Sequence, residues 1–260
     1  MLEALPLEPW MLGLAALIFF AGGMIKGALG FGLPLFAVPL LALVMPLISA
    51  ITLMGVPVLI SNLYQAKLSE PITPLVGRFW SLAVFQVIGV LIGVQILVTA
   101  NMDALKLGLG CLILLNITLR ITRWTLKIPG KNERYAAPVA GLAAGFVGGS
   151  TSFVGPLLVL YLSSLTQLDR HTFVRVIALL YLGGLIPMYG SLTALDVFGT
   201  SQLLLSLSAC VPMLAGIRFG ERVRKYCSEA LFERLILGAL AIIGCMLIVR
   251  SALALFGGGN

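Results

Sequence analysis

The chain has 260 residues, of which 60% are hydrophobic and only 10% are charged, and so few polar groups cannot cover a water-soluble globule. The apolar stretches approach helix-spanning length and lack the strict alternation of a membrane β-barrel, so we expect a polytopic, all-α membrane protein. The net charge of +7 does not indicate nucleic-acid binding, because most cations lie in two connecting segments, as the positive-inside rule predicts.

Ten apolar segments are predicted, five on each side of a polar linker. Residues 1–122 form a first transmembrane repeat, 123–135 a cytoplasmic linker, and 136–260 a second transmembrane repeat. The first two segments of each repeat are short or broken, so we expect re-entrant hairpins or broken helices there, and spanning helices elsewhere. The segments lie at 10–27, 31–47, 50–65, 79–100, 104–121, 136–149, 153–165, 173–191, 201–217 and 232–255.

Lysine and arginine residues orient the chain. The linker and the loop before the last segment are both rich in them, so both should face the cytoplasm. The N-terminus and the C-terminus are then outside, and each repeat crosses an odd number of times. Two homologous halves with odd crossing counts have opposite orientations, which predicts two inverted-topology repeats. The cations are Arg120, Arg123, Lys127, Lys131 and Arg134 in the linker, and Arg218, Arg222, Arg224 and Lys225 in the loop.

Each repeat contains the same glycine-rich break. Residues 23–35 read Gly-Met-Ile-Lys-Gly-Ala-Leu-Gly-Phe-Gly-Leu-Pro-Leu, and residues 145–157 read Gly-Phe-Val-Gly-Gly-Ser-Thr-Ser-Phe-Val-Gly-Pro-Leu. Two glycines, the phenylalanine, the proline and the last leucine coincide at one offset of 122 residues. A duplicated break within apolar sequence indicates the binding site of a transporter.

The proline of each break predicts that a new helix begins there. Backbone N–H groups at a helix start carry about half a positive charge and bind anions, so two starts that meet near the membrane midplane would form an electropositive pocket. The alternative is that the glycines at 23, 27, 145 and 149 serve close helix packing. The candidate binding residues on this backbone are Gly27, Gly30, Phe31, Gly32, Gly149 and Phe153.

Polar side chains in apolar surroundings complete the predicted substrate site. Lys26 lies within the first break, where an ammonium is costly and is a functional candidate by default; the alternative is that it snorkels to the outer interface. Arg175 is either a second cation of an inward-facing vestibule or an anchor at the cytoplasmic edge. The hydroxyls of the second break either direct the anion or bond back to their own helix. The polar candidates are Lys26, Asn62, Ser150, Thr151, Ser152 and Arg175.

Sequence motifs of enzymes and metal sites are missing. There is no Walker A sequence, no His-Glu-x-x-His pair and no Gly-x-Ser-x-Gly elbow, and the four cysteines lack metal-ligand spacing. Acidic residues are confined to loops and segment ends, so we expect no buried carboxylate that could bind Na⁺ or relay protons. We therefore expect no enzymatic activity, no cofactor and no metal.

The two breaks, above all residues 27–34 and 148–156, and the stretch 215–223 before the last segment resemble the TauE/SafE family of sulfite exporters, also called the four-toluene sulfonate uptake permease family. The resemblance covers nearly the whole chain. It implies a multi-pass carrier of the cytoplasmic (inner) membrane for sulfite, thiosulfate or organosulfonates. The residues alone indicate only a small anion as partner, besides the lipid bilayer. Sulfite export by alternating access is the leading hypothesis, and an anion channel or an uptake permease is the alternative.

Overall fold

The computed structural model describes residues 9–66, 71–122, 128–165, 168–224, 226 and 229–257. Within these ranges the chain is helical and contains no strand, which confirms the predicted all-α class. The helices are α1 (Pro9–Leu29), α2 (Leu33–Ala42), α3 (Leu47–Leu53), α4 (Gly55–Ala66), α5 (Thr73–Thr99), α6 (Met102–Ile121), a 3₁₀ turn (Gly130–Asn132), α7 (Glu133–Thr151), α8 (Gly155–Ser163), α9 (Arg170–Ala194), α10 (Thr200–Ser208), α11 (Cys210–Val223) and α12 (Glu229–Phe256).

Six of the described stretches are long and apolar enough to cross a membrane, and α3 with α4 makes a seventh if this pair, bent by 42°, is one span. Two helices extend beyond the apolar segments predicted from the sequence. α7 begins at Glu133 and α11 continues to Val223, because a helix keeps its backbone hydrogen bonds beyond the point where its side chains become polar. Arg123, Lys127 and Lys225, which contribute to the predicted orientation, lie outside the described residues.

Left-handed backbone produces both breaks. Gly30 and Gly32 have φ values of 89° and 109°, and Ser152 has a φ of 60°. Glycine adopts this conformation without the Cβ clash that other residues meet, so the first break falls where two glycines permit it. The chain reverses at each break, and a Cβ on Gly22 of α1 would meet Leu33 and Ala37 of α2.

The two ends of each helix–break–helix unit lie at the same end of the molecule. The N–H of Ile128, just before α7, donates to the carbonyl of Ser164, just after α8, at 3.2 Å. Met11 at the start of α1 and Met45 after α2 line one cavity of about 220 Å³. α1–α2 and α7–α8 are therefore helical hairpins, although α1, which the sequence predicts to be short or broken, is by itself long and apolar enough to span a membrane.

Glycine allows two helix pairs to approach backbone to backbone. α1 packs against α11, and α5 packs against α7. A Cβ on Gly23 or Gly27 would collide with the carbonyl of Met213 or Ile217 in α11. A Cβ on Gly145 or Gly149 would collide with the carbonyl of Gln86 or Val90 in α5. The packing alternative for these four glycines is thus realised in the structure.

Corresponding positions form both interfaces. The α1 and α7 glycines are separated by 122 residues, and their carbonyl partners in α11 and α5 are separated by 127. The reverse contacts obey the same offsets, since a Cβ on Gly216 would meet the Phe20 carbonyl and a Cβ on Gly89 the Leu142 carbonyl. The two interfaces therefore use glycines at matched spacings in the two halves of the sequence.

We expect Gly145→Ala to lower the free energy of unfolding by about 1–3 kcal/mol, because the added methyl group must push α7 away from the Gln86 carbonyl. Gly13→Ala is the matched control, since a Cβ there meets nothing within 4 Å. The measurement is thermal unfolding of the detergent-solubilised protein. Equal melting temperatures for both variants would show that the close approach of α5 and α7 is not required.

Candidate functional site

Lys26 points into the protein. Its side chain is only 3% exposed, and its Nζ donates to Oδ1 of Asn62 in α4 at 2.7 Å. Asn62 Nδ2 donates in turn to the carbonyl of Val58 at 2.8 Å, and this bond fixes which amide atom faces the lysine. The structure thus brings together two of the predicted site residues, and Lys26 does not snorkel to the outer interface.

The charge of Lys26 is not balanced by a carboxylate within the described ranges. The salt bridges found there are Arg78–Glu133 and Arg120–Glu233. The nearest aromatic ring is Tyr181, whose centroid lies 6.0 Å from the Lys26 Nζ. The same residues contain no group of three or more His, Cys, Asp or Glu side chains that could hold a metal ion. Among the described residues, Lys26 is therefore a buried basic side chain whose hydrogen-bond partner is a neutral amide.

Two neighbours of the site lie near the centres of long helices, whereas Lys26 lies in the last turn of α1. Tyr181 is one residue from the centre of the 25-residue α9, and Gln86 is the central residue of the 27-residue α5. Both helices are long enough to span a bilayer, so their centres mark the depth of the midplane if they cross it.

Tyr181 contacts both the lysine region and the second break. The backbone N–H of Gly155, at the start of α8, lies next to the Tyr181 hydroxyl, and a Cβ on Gly155 would be 2.6 Å from that oxygen. The predicted anion-binding start of α8 is thus shielded by a phenol. A hydroxyl next to a helix N-terminus can accept from the helix and donate its own hydrogen to a solute.

The three hydroxyls of the second break have different environments. Ser150 Oγ donates to the Phe146 carbonyl at 2.9 Å, and Thr151 Oγ1 donates to the Val147 carbonyl at 2.7 Å, so both follow the back-bonding alternative. The side chain of Ser152 instead lines a cavity of about 30 Å³. That volume has room for about one water molecule.

Two glycines line this small cavity. Gly148 and Gly184 line it, and at the offset of 122 residues they correspond to Lys26 and Asn62. Where one half of the sequence has the lysine–asparagine pair, the other half has two glycines, on which a Cβ would meet Val154 and Gln86. Gln86 also lines the cavity; its Nε2 donates to the Leu180 carbonyl at 2.9 Å, while its Oε1 is buried without a donor among the described residues.

A second cavity, of about 520 Å³, begins at the breaks and extends towards the end of the molecule that the sequence predicts to be cytoplasmic. Phe31 and Phe153, at matched positions of the two breaks, both line it. Arg120 lines its wall, lies 5.6 Å from the centroid of the Phe31 ring and forms a salt bridge with Glu233. The cavity has the dimensions and composition of a vestibule for small solutes.

The other predicted site residues serve local structure in this conformation. Gly27 and Gly149 lie in the two close helix interfaces. Gly30 approaches Val174, and Gly32 approaches Ile25, where a Cβ would come within 3.2 Å and 3.0 Å. Arg175 donates to the carbonyls of Ala66 and Pro71, near the end of α4, so its geometry follows the anchoring alternative.

Sequence reasoning identified neither Tyr181 nor Gln86 as a site residue. Both lie in uninterrupted apolar helices, far from either glycine-rich break. Their signal is polarity within a segment long enough to span a membrane, which alone does not distinguish a binding group from an interhelical hydrogen bond.

Comparison with known proteins places the whole arrangement in one family. The sequence profile described as "Sulfite exporter TauE/SafE" matches residues 14–247, a range that includes both breaks, Lys26, Asn62 and Tyr181. Searches of curated proteins and of solved structures returned no match.

Proposed function

Because the chain belongs to the sulfite exporter TauE/SafE family, whose members are membrane transporters of sulfur anions, we propose that it exports sulfite through a site beside Lys26. The observation that carries this proposal is the buried amino group of Lys26, which bonds to a neutral amide and has no carboxylate partner among the described residues. An isolated charge is strongly disfavoured in a low-dielectric interior. An anion bound at Lys26 offsets that cost.

The hydroxyl groups near Lys26 would orient the bound anion. The Tyr181 ring lies near Lys26, and its hydroxyl lies beside the start of α8. Ser152 lines the adjacent cavity. In the proposed complex these hydroxyls donate to anion oxygens, while Lys26 supplies the charge. The cavity of about 30 Å³ is smaller than sulfite, so the helices that line it, among them α4, α5, α7 and α9, must separate for the anion to enter.

We further propose that residues 1–122 and 136–260 are inverted repeats, joined by the linker 123–135, with both termini outside the cytoplasmic membrane. The matched contacts of α1 with α11 and of α5 with α7 support the duplication, and the two hairpins that return to their own ends support the odd crossing count. Rocking of one bundle against the other would expose the site alternately. The cavity of about 520 Å³ is the proposed inward access route.

The test is sulfite flux in proteoliposomes that contain wild type, Lys26→Ala or Ser152→Ala. We expect Lys26→Ala to reduce the rate at low sulfite by at least about 30-fold, the equivalent of roughly 2 kcal/mol, and Ser152→Ala to reduce it less, since only one neutral hydrogen bond is lost. Ser208→Ala is the control, because Ser208 is exposed and bonds within its own helix. Equal rates for all variants would remove the site assignment.

Counterflow separates the carrier from the alternative of an anion channel. A carrier loaded with unlabelled sulfite accumulates labelled sulfite transiently against its gradient, because loaded sites exchange faster than unloaded ones return. A channel shows no such accumulation, and its flux does not saturate at the concentrations that fill a carrier site. Comparing the sulfite flux under outward and inward sulfite gradients then distinguishes export from uptake.

A further inference from the structure

The partner of Lys26 is compatible with both protonation states of the lysine. Asn62 presents Oδ1, an acceptor, because its Nδ2 is committed to the Val58 carbonyl. Both an ammonium and a neutral amine can donate a hydrogen to that oxygen. A carboxylate in the same place would hold the lysine permanently charged. The neutral amide therefore leaves the proton of Lys26 free to leave and return.

The bound anion determines which state is favoured. With an anion at the site, the ammonium has a counter-charge; with the site unloaded, desolvation disfavours the charged form. We propose that Lys26 takes up a proton whenever an anion binds and releases it whenever the anion leaves; this inference rests on the proposed function. The chain would then be a proton–anion cotransporter.

Among the described residues, most titratable groups on the helices around Lys26 are exposed or bonded elsewhere. α2 has no titratable residue, and α11, whose Arg218, Glu221 and Arg222 are exposed, meets α1 through apolar and glycine positions such as Met213, Ile217 and Gly220. α4 contributes Tyr64, which is exposed. α9 contributes Tyr181, which faces Lys26, and Arg175, which bonds to carbonyls near the end of α4. Among the described residues, Lys26 is thus the group placed to carry the proton.

The proton balance of the cycle is simple. On loading, the lone pair of the Lys26 amine binds a proton from water on the side where the anion enters, and the ammonium then pairs with the anion. On release at the other side, the N–H bond breaks and the proton passes to water there. Each cycle moves one anion and one proton in the same direction, and the unloaded carrier returns with neutral Lys26.

The large cavity reaches the turn of the chain that follows Lys26. Leu29 and Phe31 line the cavity of about 520 Å³, and Gly30 donates to the Lys26 carbonyl at 2.8 Å, so the backbone of the lysine lies one helical turn from that wall. The small cavity, which Ser152 and Tyr181 line, has the volume of a single water molecule.

The experiment compares two transport modes in proteoliposomes that carry wild type, Lys26→Arg or the control Lys106→Arg. Exchange of internal for external sulfite uses only the loaded carrier, whereas net efflux also requires the unloaded carrier to return. Arginine keeps the charge but does not release its proton. We expect Lys26→Arg to show measurable exchange with net efflux and proton movement lowered by at least about 30-fold, while Lys106→Arg behaves as wild type.

Three results would overturn the inference. Net sulfite efflux by Lys26→Arg with wild-type proton movement means that the proton rides on the substrate as hydrogen sulfite. Thiosulfate stays fully ionised at neutral pH. If wild type moves two charges and no proton with each thiosulfate, the inference is rejected as well. Absence of any sulfite transport by wild type rejects the proposed function itself. If Lys26→Arg fails to fold, the net charge that wild type moves with each thiosulfate tests the inference. One negative charge supports it, and two negative charges reject it.

Discussion

Replacement of Asn62 by aspartate is expected to weaken sulfite binding by about 100-fold or more. The new carboxylate would stand where Oδ1 now lies 2.7 Å from the Lys26 Nζ, so the ammonium would gain a permanent counter-charge within the protein. A unit charge at about 4 Å contributes roughly 4 kcal/mol at an effective dielectric constant of about 20. The attraction that Lys26 offers to an anion is then largely cancelled, although the side chain keeps its size.

The measurement is the sulfite dissociation constant of the purified protein, taken with its melting temperature. Asn101→Asp is the matched control: Asn101 caps α6 by accepting from the N–H groups of Asp103 and Ala104, and aspartate caps a helix equally well. The site assignment fails if Asn62→Asp, folded as judged by its melting temperature, binds sulfite as tightly as wild type.

Lys26→Met is expected to remove most of the stabilisation that sulfite gives the wild-type protein. An anion that binds only the folded state contributes about 2.7 kcal/mol at a hundredfold excess over its dissociation constant. Loss of the buried charge weakens binding by about 30-fold to several-thousand-fold, the equivalent of roughly 2–5 kcal/mol. Sulfite should therefore raise the melting temperature of wild type and raise that of Lys26→Met much less, since the variant keeps at most about 0.9 kcal/mol of the stabilisation at the same sulfite concentration.

Methionine suits this test because it fills nearly the volume of the lysine stem without its charge. Lys106→Met, on a partly buried lysine of α6, controls for the general effect of losing a cation. A melting temperature of Lys26→Met that still rises with sulfite as in wild type would place the anion elsewhere.

The hairpins could be predicted from sequence because the residues that cause them act locally. Gly30 and Gly32 adopt positive φ, and Pro34 and Pro156 stand at the first turns of α2 and α8. The burial of Lys26 could not be predicted in this way. Whether a long side chain snorkels or turns inward depends on its partner, and Asn62 is supplied by a helix 36 residues away in the chain.

The roles of the other polar residues also depend on tertiary contacts. Ser150 and Ser152 are two residues apart, yet one bonds back to its helix and the other lines a cavity, because α7 ends between them. Gly27 and Gly149 fitted packing and binding equally well in sequence, and only the position of the facing helix places them in close interfaces. Periodicity predicts which segments are helices but not which helices meet.

The most direct test of the account is the location of a heavy analogue of sulfite in the protein. Selenite has the shape and charge of sulfite, and selenium is visible by anomalous scattering. The account predicts a selenium peak within hydrogen-bonding reach of the Lys26 Nζ, between the breaks at residues 30–32 and 152–154. A peak only at surface arginines or at the outer ends of the helices, with Lys26 still bonded to Asn62 alone, would contradict it.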